Sequence, residues 1–429
     1  MQALRTRWLA ARESFWLVPG TVVALLALLA LALVRVDRHF ALGGDLSGVF
    51  GGDASAARDI LAAVAGSLVT VAGVTLSLTI VTFQLVAGQY SPRAVRTLVR
   101  DRMIQLTAGV FVGVVAYCLL VLRVVRGEDS AGSELVPRAS VTVAIPLALG
   151  ALALLIVFVH HLASRIRVEN IVSAVAQETL AALDALYPER LGAAADDPDE
   201  TETAPGLVVF PARPGFIQAV SVDEYAASLP AGSRLEIHVA PGDFVTQREP
   251  LATLRPHTGR PARYEQELRG CVTVTNERTV EQDAAFGIRQ LADIALRAIS
   301  PSLNDPTTAV TCIGYLRACL ERLATRALPA RERRVGDTTV VARRRSFAEY
   351  VEPLVELSRY ATGDARVAAA LLDALVGGAE AAGEVGARDR VATLREAASA
   401  VAQPAIDEAK TEHDRALLER AWRPLQQQV

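Results

Sequence analysis

The chain reads as an α-helical membrane protein with four transmembrane helices and a C-terminal cytoplasmic α+β domain, a small β module followed by a helical bundle. Three observations predict this. Hydrophobic residues make up 51% of 429 positions and the mean hydropathy is +0.29, a membrane-like balance. Four apolar runs of bilayer-spanning length fall within the first 163 residues. Beyond them the pattern changes to short β-type runs between turn residues, and then to Ala-rich amphipathic segments.

The first apolar run covers about residues 15–34 and follows Arg5, Arg7 and Arg12. Ala30-Leu31-Ala32 mimics a leader-peptide cleavage motif, but the run is too long for a leader and three more spans follow. A retained helix is therefore expected. The second run, Asp59 to Ser91, is apolar but not uniformly so. At about 100° per residue, Asp59, Gly66, Thr70, Gly73, Ser77, Gln84, Gly88 and Ser91 share a stripe roughly 60° wide. Hydrocarbon cannot hydrogen-bond, so a stripe of glycines, hydroxyls and an amide is expected to face other helices or water. Gly66-x-x-x-Thr70 and Gly73-x-x-x-Ser77 have the spacing of close helix packing. Thr70, Ser77 and Gln84 would equally suit the lining of a pore.

Ser91-Pro92 reads as the cap and first residue of a short basic helix carrying Arg93, Arg96, Arg100 and Arg102. The third span is expected at about 104–125 and the fourth at about 141–162. Arginines are modestly more frequent at the N-terminus, in 90–103 and after the fourth span, which places both termini in the cytoplasm of a bacterial inner membrane. No Gly or Pro interrupts the chain from Val141 until Pro188 except Pro146 and Gly150 within the span. One helix from Val141 to Tyr187, about 70 Å long, is expected. Its stalk, 164–190, has an apolar side of Val168, Ile171, Val172, Val175 and Leu183 that needs a partner in this chain or in another subunit.

Residues 191–206 are acidic and read as a linker. A small β-rich module is expected over 207–280, from GLVVF, FIQAVSV, RLEIHVA, PGDFV, PLATL and CVTVT. A mostly helical domain is expected over 281–429, with one hairpin near 335–342. Thr279 with Gln282 fits a capping box, and Asp283 is a second N-cap candidate. Ile288, Leu291, Ala292, Ala295, Leu296 and Ile299 form one apolar face of the next helix. Arg289, Asp293 and Arg297 form an ion-pair ladder on another. Ser300-Pro301 ends that helix, and Asn304-Asp305-Pro306 starts the following one with Asp305 as cap.

At GIRQLADIALRAISPSLNDPTTAV, together with GSLVTVAGVTLSLTIVTFQLVAGQYSPR, the chain resembles the bacterial membrane proteins grouped as domain of unknown function 2254. SFWLVPG, RDRMIQLTAGVF, HHLASRIRVENI and VAPGDFV extend the resemblance over nearly the whole chain. It implies a multi-span envelope protein and carries over no catalytic residue. GFIQAVSV with PGDFVTQREPLATL is also similar to half of a biotinyl/lipoyl-type barrel-sandwich. This region has no lysine, so such a fold would be structural or gating rather than a carrier.

Composition excludes several chemistries. Lys410 is the single lysine, so there is no Walker A loop and no other lysine for a Schiff base or a tethered cofactor. The formal charge of −3 gives no indication of nucleic acid as a partner, and the four cysteines form no C-x-x-C pair. Adjacent His160 and His161 point about 100° apart on a helix and make no metal pair. No cofactor, metal site or catalytic set is expected. Arg289, Asp293, Arg297, Asn304 and Asp305 are the densest polar group after the spans. They are either a ladder plus a cap, or a site for an anion or a subunit contact. The expected function is a channel-like or transport-related homo-oligomer in the lipid bilayer, with a cytoplasmic sensing or gating domain and an unnamed permeant. The alternative is a membrane-anchored scaffold recruiting partners through its helical domain.

Overall fold

Helices satisfy their own backbone polar groups, which is what a chain crossing hydrocarbon requires. The structure, a computed structural model, describes residues 16–40, 50–89, 101–126, 136–165, 167–187, 206–222, 225, 229–255, 261–329, 331–361 and 363–427. It divides into two units, Met1–Asn170 and Ile171–Val429.

The first unit contains α1 (Leu17–Phe40), α2 (Ala54–Gln89), α3 (Arg102–Leu122) and α4 (Arg138–Arg165). All four are long and apolar enough to cross a membrane. The third is the central one: Phe111, Val114, Tyr117, Cys118 and Val121 are at most 1% exposed, and α3 packs on α1, α2 and α4. Glycines make the closest approach. A Cβ at Gly109 would lie 2.8 Å from Pro19 Cα, and one at Gly113 would lie 2.6 Å from a Leu26 methyl, so α1 and α3 meet almost backbone to backbone. Polar links tie the helix ends. The Asp37 carboxylate, near the end of α1, accepts from the N–H of Ala139 and of Ser140 at 2.9 and 3.0 Å and from Ser140 Oγ at 2.6 Å. It thereby caps α4 from a distant part of the chain. Tyr117 donates its hydroxyl to Ser140 O at 2.7 Å. Leu25, Val74, Leu149 and Ile156 are each more than 60% exposed on the outside of this unit, as a lipid-facing surface would be.

The single helix expected from Val141 to Tyr187 is two. α4 ends at Arg165 and α5 runs Val168–Leu186. The Asn170 side chain donates to Ser164 O at 2.6 Å and the Asn170 N–H to Arg167 O, bonds that replace the straight helical ladder at that point. From Ile171 onward α5 belongs to the second unit, and that unit supplies the partner its apolar side needs. Val172, Ala176 and Leu183 are fully buried, and Asp184 pairs with Arg326 at 2.6 Å.

The expected strands all form: β1 (Leu207–Val209), β2 (Gly215–Val220), β3 (Arg234–Ile237), β4 (Phe244–Val245), β5 (Ala252–Arg255), β6 (Val272–Thr275), β7 (Glu332–Val335) and β8 (Thr338–Ala342). They make two sheets, ordered β1-β5-β3-β8-β7 and β4-β2-β6. The pairs are antiparallel except β3 with β8, which is parallel. The hairpin β7–β8 thus joins the β module from within the segment expected to be helical. The stretch similar to half a barrel-sandwich contributes strands to both sheets, each completed by strands distant in sequence. Leu235, Leu254, Ile217, Leu251 and Val340 fill the shared core. A helix not foreseen, α6 (Pro261–Cys271), leads into β6. The helical part comprises α7 (Ala284–Ala298), α8 (Pro306–Thr325), α9 (Phe347–Ala361), α10 (Ala365–Glu384), α11 (Arg388–Asp407) and α12 (Glu412–Gln427). The expected linker and the basic helix after Ser91 lie outside the described residues.

Candidate functional site

On α2 the buried seam is Ala54, Ala57, Leu61, Ala65, Leu68, Thr75, Thr79 and Thr82. At about 100° per residue this seam is nearly opposite the glycine stripe. Gly66, Thr70, Gly73, Ser77 and Gln84 are all exposed, and a Cβ at Gly66 or Gly73 would meet nothing within 4 Å. Among the described residues of the first unit, α2 therefore packs through threonines and aliphatics, and the stripe is left uncovered. Threonine hydroxyls on both faces bond back along the helix. Thr70 donates to Gly66 O at 3.1 Å, Thr75 to Val71 O at 2.8 Å and Thr79 to Thr75 O at 2.8 Å. The cleft beside Thr75 and Thr79, closed by Ile104, Phe111 and Phe158, encloses about 10 Å³, the room of a single water at most. The side chains of Gly88 and Ser91 lie outside the described residues.

The polar group on α7 and α8 is not one site. Arg289 pairs with Glu356 of α9, which holds that carboxylate below its ordinary range. Arg289 and Asp293 line a groove of about 170 Å³ with Glu356, Arg359 and Tyr360. Arg297 is exposed further along α7. Asp305 caps α8, accepting from the Thr308 N–H at 3.1 Å and the Thr308 hydroxyl at 2.6 Å, and these bonds lower its pKa. Asn304 turns the chain into that cap with φ +47°. The Arg289 charge is thus met by carboxylates of its own fold, and the Asp305 carboxylate is occupied by capping.

Sequence reasoning missed a second constellation, built by four separate segments of the second unit. The Pro241-Gly242-Asp243 turn after β3 brings Gly242 against Asp283. Gly242 has φ +91°, and a Cβ there would lie 2.0 Å from Asp283 Oδ2, so only glycine fits. Asp283 is the N-cap of α7, its carboxylate accepting from the Phe286 N–H at 3.2 Å. The expected Thr279–Gln282 box does not form: Gln282 instead accepts from the Val220 N–H at 3.1 Å, tying the helix start to β2. Asp283 also takes two bonds from Arg278, at 2.5 and 3.0 Å. Burial raises its pKa, while Arg278 and Arg345 oppose that shift. Arg343, Arg344 and Arg345 follow β8. Arg343 reaches Asp243 at 2.9 Å, Arg344 donates to Pro329 O at 2.8 Å, and Arg345 donates to Pro241 O at 3.1 Å. The hydroxyls of Tyr187 and Tyr350 bond each other at the edge of the group, and burial pushes both phenols up. A cavity of about 320 Å³ lies among these residues. The run of three arginines after the hairpin was the available signal, and it was passed over because nothing local says what it faces. Among the described residues, no group of three or more His, Cys, Asp or Glu could hold a metal ion.

A family model described as predicted membrane protein, domain of unknown function 2254, matches residues 12–376. The chain belongs to this family. The domain of unknown function 2254 match runs from ahead of α1 into α10, so it takes in the four apolar helices, both sheets and the constellation around Asp283. Within reach of that family, an uncharacterized protein of Mycobacterium tuberculosis strain H37Rv and one of Mycobacterium bovis are each 35% identical over 343 residues. The alignment covers 76% of this chain and 64% of the relative. The chain therefore spans under two thirds of the length of these curated relatives. No solved structure matches the chain.

Proposed function

We propose that this membrane protein works as a homo-oligomer, channel-like or transport-related, whose copies meet along the outer face of α2. The C-terminal unit serves as its sensing or gating domain. The setting is a bacterial inner membrane with both termini in the cytoplasm, in keeping with the arginine bias at the span ends. One observation carries the reading: the small and polar residues of α2 lie on the face that the described residues of the first unit leave uncovered. The helix has 36 residues, about 54 Å, so Thr70 and Gly73 sit near its middle, well within a hydrocarbon layer of about 30 Å. Aliphatic side chains would serve a lipid-facing position at least as well. Glycines there gain only where a second helix comes close enough for backbone contact. The cleft beside Thr75 and Thr79 encloses only about 10 Å³, which favours a path between copies along the stripe.

The test uses the full chain with its native cysteines replaced and single cysteines introduced by Thr70→Cys, Ser77→Cys and, as a lipid-facing control, Leu149→Cys. In native membranes the first two are expected to form disulfide-linked dimers on mild oxidation, and to react with a small water-soluble thiosulfonate if a wet path runs there. Leu149→Cys is expected to do neither. If all three behave alike and remain monomeric, the assembly reading is wrong.

A further inference from the structure

The cavity near Asp283 combines features that point to a ligand. At about 320 Å³ it falls at the small end of the usual range for small-molecule sites, about 300–1,000 Å³. One wall is aliphatic, formed by Val220, Val222, Ile237 and Val239 of the β module. The lining also carries four arginines, Arg333 and Arg343 to Arg345, and one carboxylate, Asp283; from outside the lining, Asp243 pairs with Arg343 and Arg345, and Glu349 with Arg345, which leaves the arginines in excess. The Asp283 carboxylate is already held by Arg278 and by its capping bond to α7. Arg345 keeps one good bond, from Nη2 to Pro241 O at 3.1 Å, and is otherwise loosely held. Its side-chain contacts to Asp243, Glu349 and Asp283 are 3.4, 3.4 and 3.7 Å long, and its Nε is buried without a hydrogen-bond partner. A buried donor of this kind is costly unless something accepts from it.

We propose that this cavity binds a small organic anion, a carboxylate or phosphate monoester with an apolar body. The anionic group meets the guanidinium groups of Arg343 to Arg345, and the apolar body lies on the aliphatic wall. Planar guanidinium forks suit both acid groups, and a charge-assisted bond is about twice as strong as a neutral one. The site is complete within the second unit and stands whether or not the spans assemble. A soluble metabolite and a lipid headgroup share this chemistry.

The experiment is calorimetric titration of the full chain in phosphatidylcholine nanodiscs with phenyl phosphate, inorganic phosphate and benzyl alcohol. It is repeated in nanodiscs containing phosphatidic acid, whose headgroup is a phosphate monoester. Phenyl phosphate is expected to bind one to one, at least about tenfold tighter than either fragment. Arg343→Gln combined with Arg344→Gln, both at exposed positions, is expected to weaken it by about tenfold or more. Ala342→Leu is expected to weaken binding by about tenfold or more by narrowing the cavity, with circular dichroism reporting its fold. Should Ala342→Leu not fold, the arginine pair decides. Suppression by phosphatidic acid identifies a lipid headgroup as the occupant, and indifference to it identifies a soluble anion. No saturable heat in phosphatidylcholine, benzyl alcohol binding as tightly as phenyl phosphate, or unchanged affinity in the arginine variant overturns the proposal.

Discussion

Asp305 illustrates how one side chain can be understood before any fold is known. Asn-Asp-Pro places an acceptor ahead of a residue that lacks an N–H, and the structure uses it in that way, with both Thr308 groups bonded to the carboxylate. Asp305→Ala is expected to cost about 1 kcal/mol of stability, within the usual range for a lost cap. Its pH dependence has a definite sign. The folded pKa lies below the ordinary 3.8, so the ionised cap stabilises above that value and the contribution is lost as pH falls through the folded pKa. Denaturant midpoints of wild type and Asp305→Ala should therefore differ at pH 7 and converge toward pH 3. Asp283 was equally visible as an N-cap candidate. Its contact with Gly242 was not, because 41 residues separate the turn from the helix start and only the sheet brings them together.

Small-residue spacing was read on α2, whereas the close approach within the chain uses α3. Gly109-x-x-x-Gly113 lies in the run QLTAGVFVGV and carries the same signal as the α2 glycines. A spacing tells that some backbone can come near, and not which one. Gly109→Val sets new atoms against Pro19 backbone, which cannot swing aside. It is expected to destabilise the first unit by about 1–3 kcal/mol. The check is the thermal unfolding midpoint of the full chain in detergent, where Gly109→Val should fall by several degrees. The break between α4 and α5 belongs at this scale as well. No Gly or Pro marks it, since it comes from the Asn170 side chain competing for Ser164 O.

The full chain comprises two units, one of apolar helices and one of α+β structure, and the outer face of α2 is where assembly would be decided. A Cβ at Gly73 meets nothing within 4 Å among the described residues, so with Gly73→Val the monomer fold is expected to survive with its melting midpoint unchanged. In an oligomer joined along that face the added methyls would separate the helices. Light scattering of the detergent-solubilised protein should then show the wild-type mass falling to that of one chain. An unchanged mass would move the interface elsewhere.

Hydropathy, strand alternation, caps and turn residues act over a few neighbouring positions, and these local signals were enough to foresee, among the described residues, four long apolar helices, eight strands and a largely helical C-terminal region. Three features depended on tertiary structure: the side of α2 on which the stripe falls, the parallel pairing of β8 with β3, and the gathering of Pro241, Asp283, Arg345 and Tyr350 around one cavity. Each requires segments tens to more than a hundred residues apart to be packed side by side. Which partner a face or a charge finds is set by burial and steric fit across the whole fold, and no periodicity along the chain records it.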